Sequence, residues 1–108
     1  MTIHRLQGLR RLAQGKPCCA RTRWCNGDPA TSVWCHLPDQ WAGRGFAHKS
    51  HDLLGFIGCF ACHDVIDGRA HINETTREER RAWGYEAVCR TQAYLLDNGN
   101  LDVKVKAA

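Results

Sequence analysis

The sequence predicts a small α+β domain closed around a four-cysteine zinc site, and three observations carry that expectation. Two pairs of cysteines, Cys18 with Cys25 and Cys59 with Cys62, bracket the middle of the chain. Two short runs rich in β-branched, aromatic and apolar residues lie between them. A Cys-x-x-Cys then opens a short helical pattern, and a longer one follows it.

A chain of 108 residues makes one domain, residues 1–108. A domain this size buries a modest share of its surface on folding, so a cross-link adds materially to stability. Seven cysteines is a high count for that length. They suit either disulfides in a secreted protein or thiolate ligands in a reducing compartment. Residues 1–17 hold no apolar run long enough for a signal-peptide core, and no later stretch reaches membrane-spanning length. The expectation is a soluble, cytoplasmic protein with no membrane partner. Disulfides are rare there and an odd cysteine count fits them poorly, so metal binding is the better reading.

Residues 1–14 form a basic N-terminal arm or helix, with Ile3, Leu6, Leu9 and Leu12 near helical spacing and Gly8 weakening the pattern. Residues 15–72 hold a zinc knuckle and a ββα core. Gly15, Pro17, Asn26, Gly27, Asp28 and Pro29 mark turns around the first cysteines. Thr31–His36 (TSVWCH) reads as a strand ending in His36, and Leu53–Ile57 (LLGFI) as a second strand paired with it. The polar stretch Pro38–Ser50 between them is a loop, of the kind that meets substrates. A short helix runs from Ala61 to about Arg69. Residues 73–98 form the long C-terminal helix, capped by Asn73 or by Thr75 with Glu78 at capping-box spacing, and ended by Gly99. Trp83, Ala87, Val88, Thr91 and Leu95 make its apolar face, which packs within the chain or against a second copy in a homodimer. Leu101, Val103 and Val105 alternate with polar residues, the pattern of an edge strand.

The net charge of +4 is unevenly spread. Up to residue 50 there are eight Lys or Arg against Asp28 and Asp39, a balance of +6, and the remainder carries −2. A basic N-terminal half attracts phosphate backbones, with Arg10, Arg11, Lys16, Arg21 and Arg23 as the candidate contacts. A solvated, solubilising surface would look the same.

Cys59-Phe60-Ala61-Cys62 has the spacing that brings two thiolates from one turn onto a tetrahedral zinc, and Cys18 with Cys25 completes a closed, structural Cys₄ set. Cys19 can stand in for Cys18. Cys35 and Cys89 sit in apolar contexts without a partner at ligand spacing and read as buried or partly buried small hydrophobes. A redox role for the Cys-x-x-Cys lacks the βαβ pattern that accompanies it.

His63 follows Cys62 directly, and Asp67 stands one helical turn later on the same face. A strand ending in His36, a loop, a second strand and a helix opening with Cys-His form a ββα order that sets His36 opposite a metal held from the helix. At these residues the chain resembles the HNH, or ββα-metal, nucleases. More closely it resembles the small YbcO-like family encoded by phages and prophages and described as candidate nucleases. The likeness runs from about Leu9 to Leu96. It is carried by Gly15-Lys16-Pro17-Cys18, Cys25-Asn26-Gly27, Thr31-Ser32-Val33, His36, Asp52-Leu53, Cys59-Phe60-Ala61-Cys62-His63-Asp64, Ile66-Asp67 and Arg90-Thr91-Gln92.

The resemblance implies a DNA endonuclease in the cytoplasm of a bacterial host. His36 would act as general base, and His63 would be a catalytic ligand of a second divalent ion, Mg²⁺, Mn²⁺, Ni²⁺ or Zn²⁺. Asp67 and Asp52 would be lesser ligands of that ion. Two departures accompany it. HNH motifs often place a metal ligand immediately before the base, and that position here is Cys35, a soft donor poorly suited to magnesium. The asparagine between base and helix has no counterpart, Asp52 coming nearest, so His48, His51 or His71 are alternative ligand sources. A non-catalytic zinc module binding nucleic acid in phage recombination or replication is the competing reading. A protein-interaction zinc domain, using exposed Trp24, Trp34 and Trp41, is a third.

Overall fold

Pro29 decides where the first strand begins. With Asp28 Oδ1 accepting from the Ala30 amide at 3.0 Å, it sets a 3₁₀ turn over Pro29–Thr31. Strand β1 therefore spans Val33–His36 and starts two residues later than the β-branched run suggests. These features come from a computed structural model that describes residues 6–38 and 51–107. Ile3, His4, Trp41, His48 and most of the Pro38–Ser50 loop lie outside the described residues.

Strand β2 spans Gly55–Gly58 and pairs antiparallel with β1, Trp34 opposite Ile57 and Cys35 opposite Phe56. Leu53 and Leu54, predicted as strand, instead form a turn in which the Leu54 amide donates to His51 O at 3.0 Å. Gly55 opens β2 for a steric reason. A Cβ there would lie 2.5 Å from the Trp34 indole nitrogen, which crosses the strand to donate to Asp52 O at 2.7 Å.

Alternation along the ribbon sends its two faces into different cores. Trp34 and Ile57 pack with Leu9 and Ala13 of helix α1 (Gln7–Ala13), Cys19 and Leu95. Cys35 and Phe56 pack with Leu37, Cys59, Cys62 and Ile66, the last two on helix α2 (Phe60–Ile66). Helix α3 (Arg77–Asp97) lies along β2 and serves both cores, sending Ala87 and Val88 into one and Leu95 into the other. Its predicted apolar face is thus covered within the chain. Gly84 joins it, and Trp83 is half-buried at its edge.

The cap of α3 shifts by one residue from the predicted Thr75–Glu78 pair. Thr76 Oγ1 accepts from the Glu79 amide at 3.0 Å, and Glu79 Oε1 accepts from the Thr76 amide at 2.9 Å. Thr75 is engaged elsewhere, donating to His71 O and accepting from Arg80 Nη1. Asn73, the other predicted cap, sits in a 3₁₀ turn over Ile72–Glu74.

The C-terminal alternation does not become an edge strand. At β2's outer edge the Ile57 carbonyl accepts from the Cys19 amide at 2.8 Å, and the Ile57 amide donates to Thr91 Oγ1 at 3.1 Å. Leu101 packs on the α1 core, while Val103 and Val105 are exposed. Two further expectations are corrected by burial. Trp34 is buried, not an exposed contact residue, and Cys89 is exposed on α3 whereas Cys35 is fully buried. No helix among the described residues is long and apolar enough to cross a membrane.

Arg90, Thr91 and Gln92 show why three successive α3 residues matter. Arg90 donates to Cys19 O and Ala20 O at 2.6 and 2.9 Å, Thr91 seals β2, and Gln92 donates to Leu53 O at 3.4 Å. Thr91→Val keeps the shape but leaves the buried Ile57 N–H without an acceptor. The expected loss is about 1–3 kcal/mol in urea denaturation, with Thr91→Ser retaining most of it. A Thr91→Val protein as stable as the parent would show that the hydroxyl does not close the sheet edge.

Candidate functional site

The knuckle and the start of α2 converge on one point. Cys59 is the N-cap of α2, its Sγ accepting from the Cys62 amide at 3.4 Å, so one turn presents both thiols inward. The turn-rich stretch carrying Cys18 and Cys25 folds over them. The Sγ atoms of Cys18, Cys25, Cys59 and Cys62 all lie within 4.8 Å of one another, with Cys25 and Cys59 at 3.9 Å. Zn–S bonds of about 2.3 Å in a tetrahedron put sulfurs roughly 3.8 Å apart, so a contraction of about an ångström at most closes the set. A four-thiolate donor set is soft and suits zinc over magnesium or calcium.

The protonation of the cluster fits a cation. The Cys18 thiol is pulled down to about 4 by a hydrogen bond from Cys62, and the Cys62 thiol is pushed up in return because its proton is held there. Burial pushes the Cys25 thiol up. Bringing four thiols together favours replacing their protons with a metal ion. Thr22, which sequence reasoning missed, places Oγ1 3.1 Å from Cys62 Sγ and supports that ligand from behind. Cys19, the alternative to Cys18, is turned away, its thiol directed at Pro17 O. The four cysteines thus form a site suited to structural zinc.

His36 closes β1, with Nε2 2.7 Å from Asp52 Oδ1. Its side chain is 10% exposed and that of Asp52 is 2% exposed, so the pair is largely shielded from water. An ionised Asp52 carboxylate only accepts, so in that state the proton of this bond sits on His36 Nε2. Asp52 is itself held, Oδ2 accepting from the Leu6 amide and its carbonyl from Trp34 Nε1. Sequence reasoning treated Asp52 as a metal ligand and missed it as the residue that orients His36. Proximity across a loop leaves no sequence signal for that pairing.

His63 and Asp67 meet on α2 as their spacing predicts, Nε2 to Oδ2 at 3.2 Å. Arg69 shares that oxygen at 2.8 Å and bonds Asp64 as well. Asp67 Oδ1 is buried and has no hydrogen-bond partner among the described residues. The Cys35 thiol is pushed well up, by burial first and by the Asp67 charge second, so it stays protonated at neutral pH. Its contacts are the Val33 and Gly58 carbonyls. Among the described residues only the four cysteines form a group of three or more metal-ligating side chains. Asp52 sits with His36 and not with His63 and Asp67.

The basic candidates fall in two places. Arg10 and Arg11 are exposed on the last turn of α1, and Arg21 and Arg23 are exposed on the knuckle between Cys18 and Cys25. Lys16 is half-buried near its start, its carbonyl accepting from Ser32 Oγ. Of the other histidines, His51 belongs to the turn before β2, and His71 stacks on Trp24 and pairs with Glu74.

Purified protein should carry about one zinc per chain, and Cys62→Ser should lose it together with cooperative unfolding, because metal affinity and folding are one free energy in small zinc domains. Cys19→Ser should keep both. Metal analysis and thermal denaturation read the two variants side by side, and full zinc content in Cys62→Ser would remove the site.

Residues 7–100 match the family model described as "Putative nuclease YbcO". The curated proteins of that name from Escherichia coli K12 and from Enterobacteria phage 82 are each 39% identical over 93 residues, covering 84% of this chain and 93% of theirs. A solved structure described as a putative bacteriophage protein from E. coli K-12 substrain MG1655 superposes with a TM-score of 0.66 at 33% identity, covering 85% of this chain and all of that one. With the family match spanning most of its length, the chain belongs to the family described as "Putative nuclease YbcO".

Proposed function

We propose that this protein is a metal-dependent endonuclease of the HNH, ββα-metal type, phage or prophage encoded, which hydrolyses DNA phosphodiester bonds in the host cytoplasm. The observation that carries the reading is the largely shielded His36–Asp52 pair at the end of β1. A carboxylate that fixes an imidazole's tautomer prepares the other ring nitrogen as a general base. In this reading His36 takes a proton from water as the water oxygen bonds to phosphorus. The bond from phosphorus to the leaving oxygen breaks, and that oxygen departs with a proton from solvent.

His63 and Asp67 would hold a divalent ion, Mg²⁺, Mn²⁺, Ni²⁺ or Zn²⁺, and the partnerless buried Asp67 Oδ1 supports that assignment. Such an ion, when bound, supplies charge neutralisation on the phosphate and leaving oxygen. Asp52 is better read as the partner of His36 than as a further ligand. Arg10, Arg11, Lys16, Arg21 and Arg23 would contact phosphates and position the strand without reading sequence. Release of counterions would make that binding salt-sensitive.

The competing reading is a zinc module that binds nucleic acid without cutting it. It draws support from Cys35, a protonated core thiol where HNH motifs often carry a ligand, and from Arg69, which already neutralises Asp67.

Cleavage of plasmid and branched DNA, with each metal added in turn, separates the two. Metal-dependent cutting is expected, falling by about 10²-fold or more in His36→Ala and by less in Asp52→Asn, at unchanged zinc content. Cutting that survives His36→Ala would exclude His36 as the base. A folded protein inert with every metal would leave the binding module.

A further inference from the structure

A groove of about 280 Å³ lies beside the zinc knuckle, between Ala20–Arg23 and one face of α3. Trp83 forms part of its wall, and Glu79, Glu86 and Arg90 line it from the same helix. Three of its polar side chains are already engaged in holding the fold. Arg90 bonds the Cys19 and Ala20 carbonyls, Glu79 completes the α3 capping box, and Thr22 faces Cys62. Among the described residues, Arg21, Arg23 and Glu86 have no ion-pair partner.

The wall continues into an aromatic ladder. Trp24 sits edge-on to Trp83 with ring centroids 6.3 Å apart, His71 stacks on Trp24 at 4.6 Å, and the Arg23 guanidinium lies 4.2 Å over the Trp24 ring. Arg21 at φ 53° and His71 at φ 55° are the described non-glycine residues with positive φ. One lines the groove and the other ends the ladder. Sparsely populated backbone conformations of this kind concentrate where ligands are bound.

We propose that this groove takes a single unpaired nucleotide of the DNA substrate, its base stacked on Trp83 and its flanking phosphates on Arg21 and Arg23. The proposal rests on the nuclease reading for its ligand, and it names the substrate class: DNA with single-stranded character, at a branch, flap or end. Aromatic side chains interleaved with arginines are the composition of single-strand sites, because every base offers a π-face. The volume is close to the lower limit of small-molecule pockets, about 300 Å³, a size that suits one heterocycle. A base inside a duplex has both faces stacked and does not reach Trp83. Glu86, an acceptor at the groove's rim, favours a base with an exocyclic amino group, so cytosine over thymine.

Binding is measured by fluorescence anisotropy on the full-length protein, without added catalytic metal, using labelled oligo(dC), oligo(dT) and a duplex hairpin. Expected are tighter binding of the single strands than of the hairpin and of oligo(dC) than of oligo(dT), with Glu86→Gln narrowing the second gap. Trp83→Leu should weaken single-strand binding roughly 5- to 100-fold and hairpin binding less than about 2-fold, with Trp83→Phe retaining most affinity. Trp83 also packs on the core, so the exposed pair Arg21→Ala with Arg23→Ala supplies a second test. It should weaken single-strand binding and flatten its salt dependence. Equal affinity for single strand and hairpin, or a folded Trp83→Leu protein that binds single strands like the parent, overturns the proposal. Single-strand binding that depends on Trp83 with no cutting by any metal would uphold the groove and end the nuclease reading. Cutting that depends on His36 and is indifferent to Trp83 and to strandedness would do the reverse.

Discussion

Four thiols tie together segments that no hydrogen-bonded ladder could hold. The stretch from Gln14 to Asp28 has no helix or strand, and a two-stranded sheet is marginal by itself in water. Cys18 and Cys25 fasten that stretch to Cys59 and Cys62, which open α2 directly after β2. The remaining constraints attach to this junction. Arg90 holds the knuckle's carbonyls from α3, Thr22 backs Cys62, and Cys19 reaches from beside a ligand to close the edge of β2. Each of these bonds involves a group within four residues of a cysteine ligand, or that group's partner, so removing the cluster would loosen all of them together.

The parts of the fold that were legible in the sequence are those whose signal is local. Cysteine spacing identified the cluster, and period-3.6 patterning identified α3 and its inward face. The errors arose where two local readings were equally good. Thr75-x-x-Glu78 and Thr76-x-x-Glu79 are both capping boxes on paper. Tertiary context chose the second, because His71 O and Arg80 already occupy Thr75. The alternating C-terminus had strand character but no ladder to join at β2, since Cys19 and Thr91 already satisfy Ile57. Cys35 and Cys89 looked alike in apolar surroundings, yet one points between two packed layers and the other follows Val88 onto the outer side of α3.

The candidate site was legible by residue and less so by pairing. His63–Asp67 followed from helical spacing, whereas His36–Asp52 joins residues 16 apart across a loop. That second pair inverts the ranking of Asp52, from distant metal ligand to immediate neighbour of the imidazole. The two acid–imidazole pairs also differ in their surroundings. Asp52 is buried and braced by a backbone amide, while Asp67 shares its charge with Arg69, whose side chain is 54% exposed. A group near the first pair meets a fixed carboxylate. One near the second must compete with a cation that is already present.

One cross-link therefore governs the geometry of two regions. Arg21 and Arg23 lie between the ligands Cys18 and Cys25, and His63 and Asp67 follow the ligand Cys62 on α2. The separation between the basic knuckle and the α2 acid–imidazole pair is thus set by closure of the same four-sulfur cluster. A cysteine substitution disturbs both regions at once, so a loss of activity in such a variant says nothing about which of them failed. Side chains outside the cluster, His36 on β1 and Trp83 on α3, are the positions at which binding and chemistry separate.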